Sequence, residues 1–309
     1  MAASPGSAPL VTVVVPAYNA GRFVEEAVRS ALRQTYADLE VVVVDDGSTD
    51  DTAERVRALC AADPRVRLLQ QENGGVAAAR NRGIAAARGA LIAPLDADDV
   101  WYPAKLERQV EVMARDDTLG LVYTGWEQVD EAGRPIPGTA RAPTAEGWLA
   151  DRLVLANLIP CASAPLIRRA CLEEVGGYED HRGFGGQGCE DWDLYLRLAE
   201  RYRFAVVPEC LVGYRRTTGS MSANRRRMRR SYEVVAARLR QRRPALPAAL
   251  RRASRYRFYW YLSKVCRREG DRLSAWYWRA RAVLVAPRAF RERLARLGPR
   301  RASGGTPLE

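Results

Sequence analysis

Apolar and polar positions follow two alternating periods over the first hundred residues. The β-branched run 10-LVTVVVPAYN-19 predicts a buried strand that leaves its sheet at Pro16. Phe23, Val24, Ala27, Val28, Ala31 and Leu32 then recur at helical spacing, which predicts an amphipathic helix over residues 21–34. The stretch 39-LEVVVVDDGSTDD-51 repeats the scheme: an apolar run, a sharp polar turn, and Ser48-x-x-Asp51 as a capping signal for a helix through Leu59. A third strand is predicted at 66–70, a helix at 76–87 and a fourth strand at 90–95. Such alternation implies right-handed βαβ units and a parallel sheet with helices on both faces. Ligands of such sheets sit at the carboxyl ends of the strands. Three loops leave those ends here: Pro16-Ala17-Tyr18-Asn19, Asp45-Asp46-Gly47-Ser48 and Asp96-Ala97-Asp98-Asp99.

Beyond this the pattern is less regular. Residues 134–147 read as a loop, 148–157 as a helix, 162–167 as a strand and 169–174 as a helix. A glycine-rich loop follows, then a helix beginning close to Glu190-Asp191, with Trp192, Tyr195, Leu196 and Ala199 on its apolar face. The expected organisation is an α/β domain over 10–224, a disordered N-terminus over 1–9, and a basic, aromatic-rich helical region over 225–309.

Composition adds bounds to this picture. With 47% hydrophobic and 28% charged residues, the chain is an ordinary globular one. Six cysteines form no C-x-x-C pair and His181 is the single histidine, which excludes histidine-rich metal sites and argues for free thiols in a reducing compartment. Neither a signal-peptide core nor an apolar stretch of about 18 residues occurs, so the expected location is cytoplasmic, with peripheral contact at the inner face of the membrane. Charge divides sharply: from Arg225 onward there are 25 Lys and Arg against 5 Asp and Glu, and before it 24 against 32. Lys105 and Lys264 are the two lysines among 49 basic residues, a bias read as that of a GC-rich, bacterial genome.

The chemistry concentrates in 91-LIAPLDADDVW-101, which places Asp96, Asp98 and Asp99 within four positions. Like charges so close repel by about 1 kcal/mol per pair even in water, so a cation is expected to compensate. Mg²⁺ or Mn²⁺ with a diphosphate fits, because hard divalent ions take carboxylate, phosphate and water oxygens together. On an extended segment Asp96 and Asp98 point the same way, and Asp99 turns toward the helix after Pro103. The plainer alternative is a polar loop of turn formers with a helix N-cap. Tyr18 offers a nucleotide base a stacking surface and Asp46 an acceptor, although each alone also reads as an ordinary loop residue.

Taken in order, PAYN, VDDGSTD, NGGVAAARNRGI and LDADDVWYP resemble the family 2 glycosyltransferases of the GT-A fold, over roughly residues 10–215 and most strongly over the first hundred. The resemblance implies a mixed, mostly parallel sheet flanked by helices, here with a basic helical C-terminal extension. It implies that Pro16 and Tyr18 line the base pocket, Asp46 bonds the base, Asp96 the ribose, Asp98 the metal bridging two phosphates, and that Arg80 supports the donor. A catalytic base at an E-D pair after a glycine-rich loop corresponds to Asp191, with Glu190 as the neighbour that orients the acceptor; helix N-terminal acids are the plain alternative. The implied reaction is inverting transfer from a UDP- or dTDP-sugar to a hydroxyl of a glycan, lipid-linked or small-molecule acceptor. Alternatives are a sugar-nucleotide nucleotidyltransferase, whose G-x-G-T-R signature PAYN replaces, and a non-catalytic nucleotide-binding scaffold.

Three further features need placing. Gly183-Phe-Gly185-Gly-Gln-Gly188 satisfies G-x-G-x-x-G but follows a charged loop rather than a strand and opens onto carboxylates, so a flexible acceptor-binding loop, or plainly a glycine linker, is expected instead of a dinucleotide fingerprint. Arg215, Arg216 and Ser220 are candidates to reach the phosphates. The tail interleaves arginines with aromatics, the composition expected at an anionic membrane surface, or of an inward-packed hairpin. Nucleic acid is the less favoured partner, since only a membrane suits a lipid-linked acceptor.

Overall fold

The computed structural model describes residues 8–216 and 224–287; Ser220 and most of the N-terminus expected to be disordered lie outside the described residues. The predicted alternation is present as β1 (Val11–Ala17), α1 (Val24–Leu32), β2 (Leu39–Asp45), α2 (Thr52–Ala62), β3 (Val66–Gln70), α3 (Val76–Ala85) and β4 (Leu91–Pro94). Then come β5 (Val100–Trp101), α4 (Lys105–Ala114), β6 (Leu119–Val129), α5 (Ala150–Leu155), β7 (Leu166–Arg168), α6 (Arg169–Val175), α7 (Glu190–Ala199) and β8 (Arg203–Arg215). Among the described residues three helices close the order: α8 (Arg225–Arg242), α9 (Ala248–Arg268) and α10 (Arg272–Val285).

One sheet of order β3-β2-β1-β4-β7-β6-β8-β5 carries the first compact unit, which holds residues up to Leu153 and Asn157–Arg238. Strands β3, β2, β1 and β4 run parallel, β7 is antiparallel to both neighbours, and β6 and β8 are again parallel. Every residue of β2 is buried, which an apolar strand reaches only when both faces of its sheet are covered. Each of those valines contributes about 1.5–3 kcal/mol by leaving water. The sheet is thus fixed by burial at its centre, and the loops at its carboxyl edge are free to carry polar residues.

Three local expectations are corrected. Pro16 does not end its strand but pairs opposite Val44 inside β1; β4 stops pairing at Val14, so the missing N–H faces no neighbour there. Ser48 does not cap α2: its hydroxyl accepts from the Asn19 N–H, while Asp50 takes the Thr52 N–H. Asp99 is no cap for the helix after Pro103 either, since α4 begins beyond Ala104. Strand β8 is not among the expected elements, and it runs through Pro208. The register jumps from Thr124↔Val207 to Gly125↔Cys210, so Pro208 and Glu209 bulge out unpaired. Gly125 is needed there because a Cβ would meet the Glu209 carbonyl at 2.8 Å.

The second unit holds Val154–Ala156 and the chain from Leu239. Within it Tyr259 of α9 packs on Trp278 of α10 at 5.3 Å, and Tyr256, Phe258, Leu262 and Cys266 are buried. Within this unit α9 buries aromatics, while α10 leaves Trp276 69% and Leu284 80% exposed. No described helix is long and apolar enough to cross a membrane. All six cysteines are free thiols.

Candidate active site

Because β2, β1 and β4 are adjacent and parallel, the loops after Asp45, Ala17 and Pro94 emerge side by side at one rim. The first two are stitched together: the Asn19 N–H donates to Ser48 Oγ at 2.9 Å and the Thr49 N–H to Asn19 Oδ1 at 2.8 Å. Asn19 holds φ 49°, a left-handed conformation that asparagine tolerates better than most residues. Tyr18 beside it is 53% exposed and Pro16 half-buried, a flat surface open to a ligand. Asp46 is anchored by three donors. Its carboxylate is buried and accepts from Gln71 Nε2 at 2.6 Å and from the N–H groups of Gly74 and Gly75 at 2.7 Å each, so it holds the NGG loop that leads into α3.

That loop aims Arg80. Its guanidinium is buried, pairs with Asp96 Oδ1 at 2.5 Å and lies 5.1 Å from the centre of the Tyr178 ring. The acidic segment is a turn rather than an extended strand, closed by the Asp99 N–H on the Asp96 carbonyl at 3.0 Å. Asp96 and Asp98 remain neighbours through the turn, not through strand alternation. Burial and then the charge of Asp96 push the Asp98 carboxyl up to about 6. No side chain among the described residues donates to Asp98, which leaves a half-buried carboxylate with crowded negative charge and open lone pairs. That donor set fits a hard divalent ion whose remaining positions are filled by phosphate and water. The protein alone offers no group of three or more His, Cys, Asp or Glu for a metal among the described residues.

Asp99 is fully buried and accepts from the Ser163 hydroxyl at 2.6 Å and the Arg215 N–H at 2.9 Å. Arg215, expected to reach phosphates, is consumed internally: Nε donates to the Asp98 carbonyl, Nη1 to the carbonyls of Asp130 and Glu131, and Nη2 to Glu26. Its role is to clamp the acidic turn from behind. Arg216 is exposed, with its own N–H on Val129.

Asp191 reaches the same cluster from the start of α7. Burial pushes its carboxyl up to about 7; Arg80 opposes this, and Glu190 and Asp96 add to it. A carboxylate near 7 is suited to take a proton at neutral pH. The structure thus brings Arg80, Asp96 and Asp191 together from α3, the β4 turn and α7. Glu190 lies near enough to Asp191 to act on its charge, but its own carboxylate is buried, with Oε2 accepting from the Gly188 N–H at 2.7 Å. The end of the glycine-rich loop lies close against α8: a Cβ at Gly186 would lie 2.5 Å from the Ser231 nitrogen and one at Gly188 2.3 Å from the Met228 sulfur, whereas one at Gly183 would meet nothing within 4 Å. Close approach of α8 explains Gly186 and Gly188.

Sequence reasoning missed the buried polar residues that hold the turn. Ser163 donates to Asp99 and accepts from the Asp96 N–H at 2.9 Å. Lys105, wholly buried, donates to Gln109 Oε1 at 2.8 Å and sits 3.9 Å from the centre of the Trp101 ring; burial pushes its ammonium well below the usual lysine range. A lysine can shed its proton in such a place and an arginine cannot. One of two lysines in an arginine-rich chain was the available signal.

Fold and rim together define a glycosyltransferase of the GT-A type. The glycosyl transferase family 2 profile matches residues 12–176, and the chain belongs to that family. It is 34% identical over 196 residues to a chondroitin synthase of Pasteurella multocida (strain Pm70), a match covering 63% of this chain and 19% of that protein, so the chain spans only a small part of that relative. It is 31% identical over 218 residues to the putative teichuronic acid biosynthesis glycosyltransferase TuaG of Bacillus subtilis (strain 168), covering 70% of this chain and 83% of TuaG. Similar folds are S. aureus TarS 1-349 in complex with UDP-GlcNAc, with TM-score 0.62, 15% identity and 88% and 90% of the two chains covered. Mannosyltransferase PcManGT from Pyrobaculum calidifontis, in complex with GDP-Man and Mn²⁺, has TM-score 0.60 and 23% identity over 96% and 82%.

Proposed function

We propose that the chain is an inverting, metal-dependent glycosyltransferase that moves a sugar from a UDP- or dTDP-sugar to a hydroxyl of a glycan, lipid-linked or small-molecule acceptor. The observation that carries this is the Arg80 guanidinium, bonded to Asp96 at 2.5 Å and within electrostatic reach of Asp191, which joins the donor rim to a carboxylate near 7. In this reading Tyr18 and Pro16 receive the base, Asp46 shapes the loop beside it, and Asp96 meets the ribose. Asp98 would hold Mg²⁺ or Mn²⁺, which when bound neutralises the departing diphosphate. Asp191 accepts the proton of the acceptor hydroxyl as its oxygen bonds to the anomeric carbon; the bond from that carbon to the diphosphate breaks, and the nucleoside diphosphate leaves from the opposite face. TuaG and chondroitin synthase as relatives support a cell-envelope polysaccharide as product, and the nucleotide-sugars in the TarS and PcManGT structures support the donor class. Thermal-shift titration with UDP-, dTDP- and GDP-sugars, each with and without Mn²⁺, tests it: stabilisation that requires both nucleotide-sugar and metal is expected, and none from any pair would refute it.

The C-terminal unit is proposed to seat the enzyme on anionic membrane at the cytoplasmic face. On α10, Leu273, Trp276, Tyr277 and Leu284 are exposed at helical spacing, interleaved with Arg272, Arg279 and Arg281. The double variant Trp276→Ser with Leu284→Ser is expected to bind phosphatidylglycerol vesicles about tenfold more weakly in a flotation assay. Salt should weaken binding by the parent protein as well. Equal flotation of variant and parent would remove α10 from the contact.

A further inference from the structure

We infer that a groove beside Asp191, between Trp126 on β6 and Asn157, is the subsite for a pyranose ring of the acceptor, and that Asn157 orients Asp191 toward that ring. This rests on the reading of Asp191 as the base. The groove has a volume of about 440 Å³ and is lined by Tyr123, Trp126, Arg141, Asn157, Ile159 and Pro160, among others. That is within the range of about 300–1,000 Å³ typical of small-ligand sites.

Its chemistry suits a sugar. Trp126 is half-buried, braced by an edge contact with Tyr214 at 5.8 Å and by paired backbone bonds with Arg141 at 2.8 and 3.1 Å. Among the described residues nothing accepts from its indole N–H. A pyranose presents an apolar C–H face and a hydroxyl rim, and an aromatic plane with a donor at its edge matches both. Arg141, the one charged lining residue, turns its guanidinium to the carbonyls of Gly138 and Ala140, so the lining does not demand an anion.

Asn157 links the groove to the chemistry. Its Oδ1 accepts from the Ile159 N–H at 3.0 Å, which fixes the amide and leaves Nδ2 to donate to Asp191 Oδ2 at 3.3 Å. The other Asp191 oxygen accepts from the Trp192 N–H at 2.7 Å. Two donors therefore hold the carboxylate in one rotation, with lone pairs left for an acceptor hydroxyl. Arg80, Asp96, Tyr178, Tyr195, Cys189 and Glu190 also face this carboxylate, and none of them lines the groove. Removing the Asn157 donor is thus a local change at the groove end of the base.

Steady-state kinetics test this, using a nucleotide-sugar that the parent enzyme turns over and the methyl glycosides of hexoses, N-acetylhexosamines and hexuronic acids as acceptors. Trp126→Ala is expected to raise the acceptor KM about tenfold or more while the donor KM stays. Trp126→Phe, which keeps an aromatic face, should raise it less and guards against a folding defect in the alanine variant. Asn157→Ala should lower kcat and move the acidic limb of the pH profile upward, because the carboxylate loses a donor that favours its charged form. A parent acceptor KM in both Trp126 variants, an unmoved acidic limb in Asn157→Ala, or turnover of donor with none of the glycosides accepted would each overturn the inference. A parent enzyme that binds no nucleotide-sugar would instead overturn the glycosyltransfer reading beneath it.

Discussion

Asp191→Asn is expected to bind nucleotide-sugar like the parent and to lose transfer by about 10²–10⁴-fold, the range general-base catalysis supplies. The amide keeps the shape of the side chain and its contact with the Trp192 N–H, but no longer takes a proton. Donor affinity by calorimetry and kcat by product release separate the two effects; a variant with parent turnover would remove Asp191 from the chemistry. The parent should itself show the base in its pH profile. With the carboxyl at about 7, the active, ionised form is lost as pH falls through that value, so the rate declines on the acid side of neutrality. Arg80 acts in the opposite sense to burial, so Arg80→Met is expected to move that limb to higher pH.

The second large effect is expected at Asp98. Asp98→Ala removes the one carboxylate of the acidic turn with no donor side chain among the described residues, and turnover that depends on Mg²⁺ or Mn²⁺ should fall to background. Asp99→Asn makes the informative contrast. Its site lies behind the turn, against Ser163 and Arg215, so its cost should appear first as a lowered Tm: a buried, hydrogen-bonded group left mismatched costs about 1–3 kcal/mol. Metal-dependent turnover in Asp98→Ala equal to that of the parent would end the metal assignment.

Much of this architecture was legible because it is local. Val11 to Val15 and Val41 to Val44 announce central strands whatever follows them, and the polar stretches after Ala17, Asp45 and Pro94 announce the loops. Adjacent parallel strands then bring those loops to one rim by topology alone. Where the local signal misled, a distant partner was the cause. No strand was expected around Pro208, yet β8 passes through it because Gly125 on β6 makes room for a bulge. The glycine-rich loop reads as flexible, and at Gly186 and Gly188 α8 occupies the space their missing side chains leave.

The sequence by itself determined the fold class and the rim of loops that carries Asp46, Asp96, Asp98 and Asp99, since periodicity and strand order depend on neighbours in the chain; Asp191 was expected there only from the family resemblance. Only the tertiary structure divided the labour among those carboxylates. How far an aspartate is occupied depends on donors far along the chain: Asp46 accepts from the Gly74 N–H, 28 residues away, and Asp99 from Ser163 and Arg215, 64 and 116 residues away. Asp98 and Asp191 keep lone pairs free in surroundings that burial has made less watery, an arrangement set by packing, and this is why the proposed metal and base roles fall to these two.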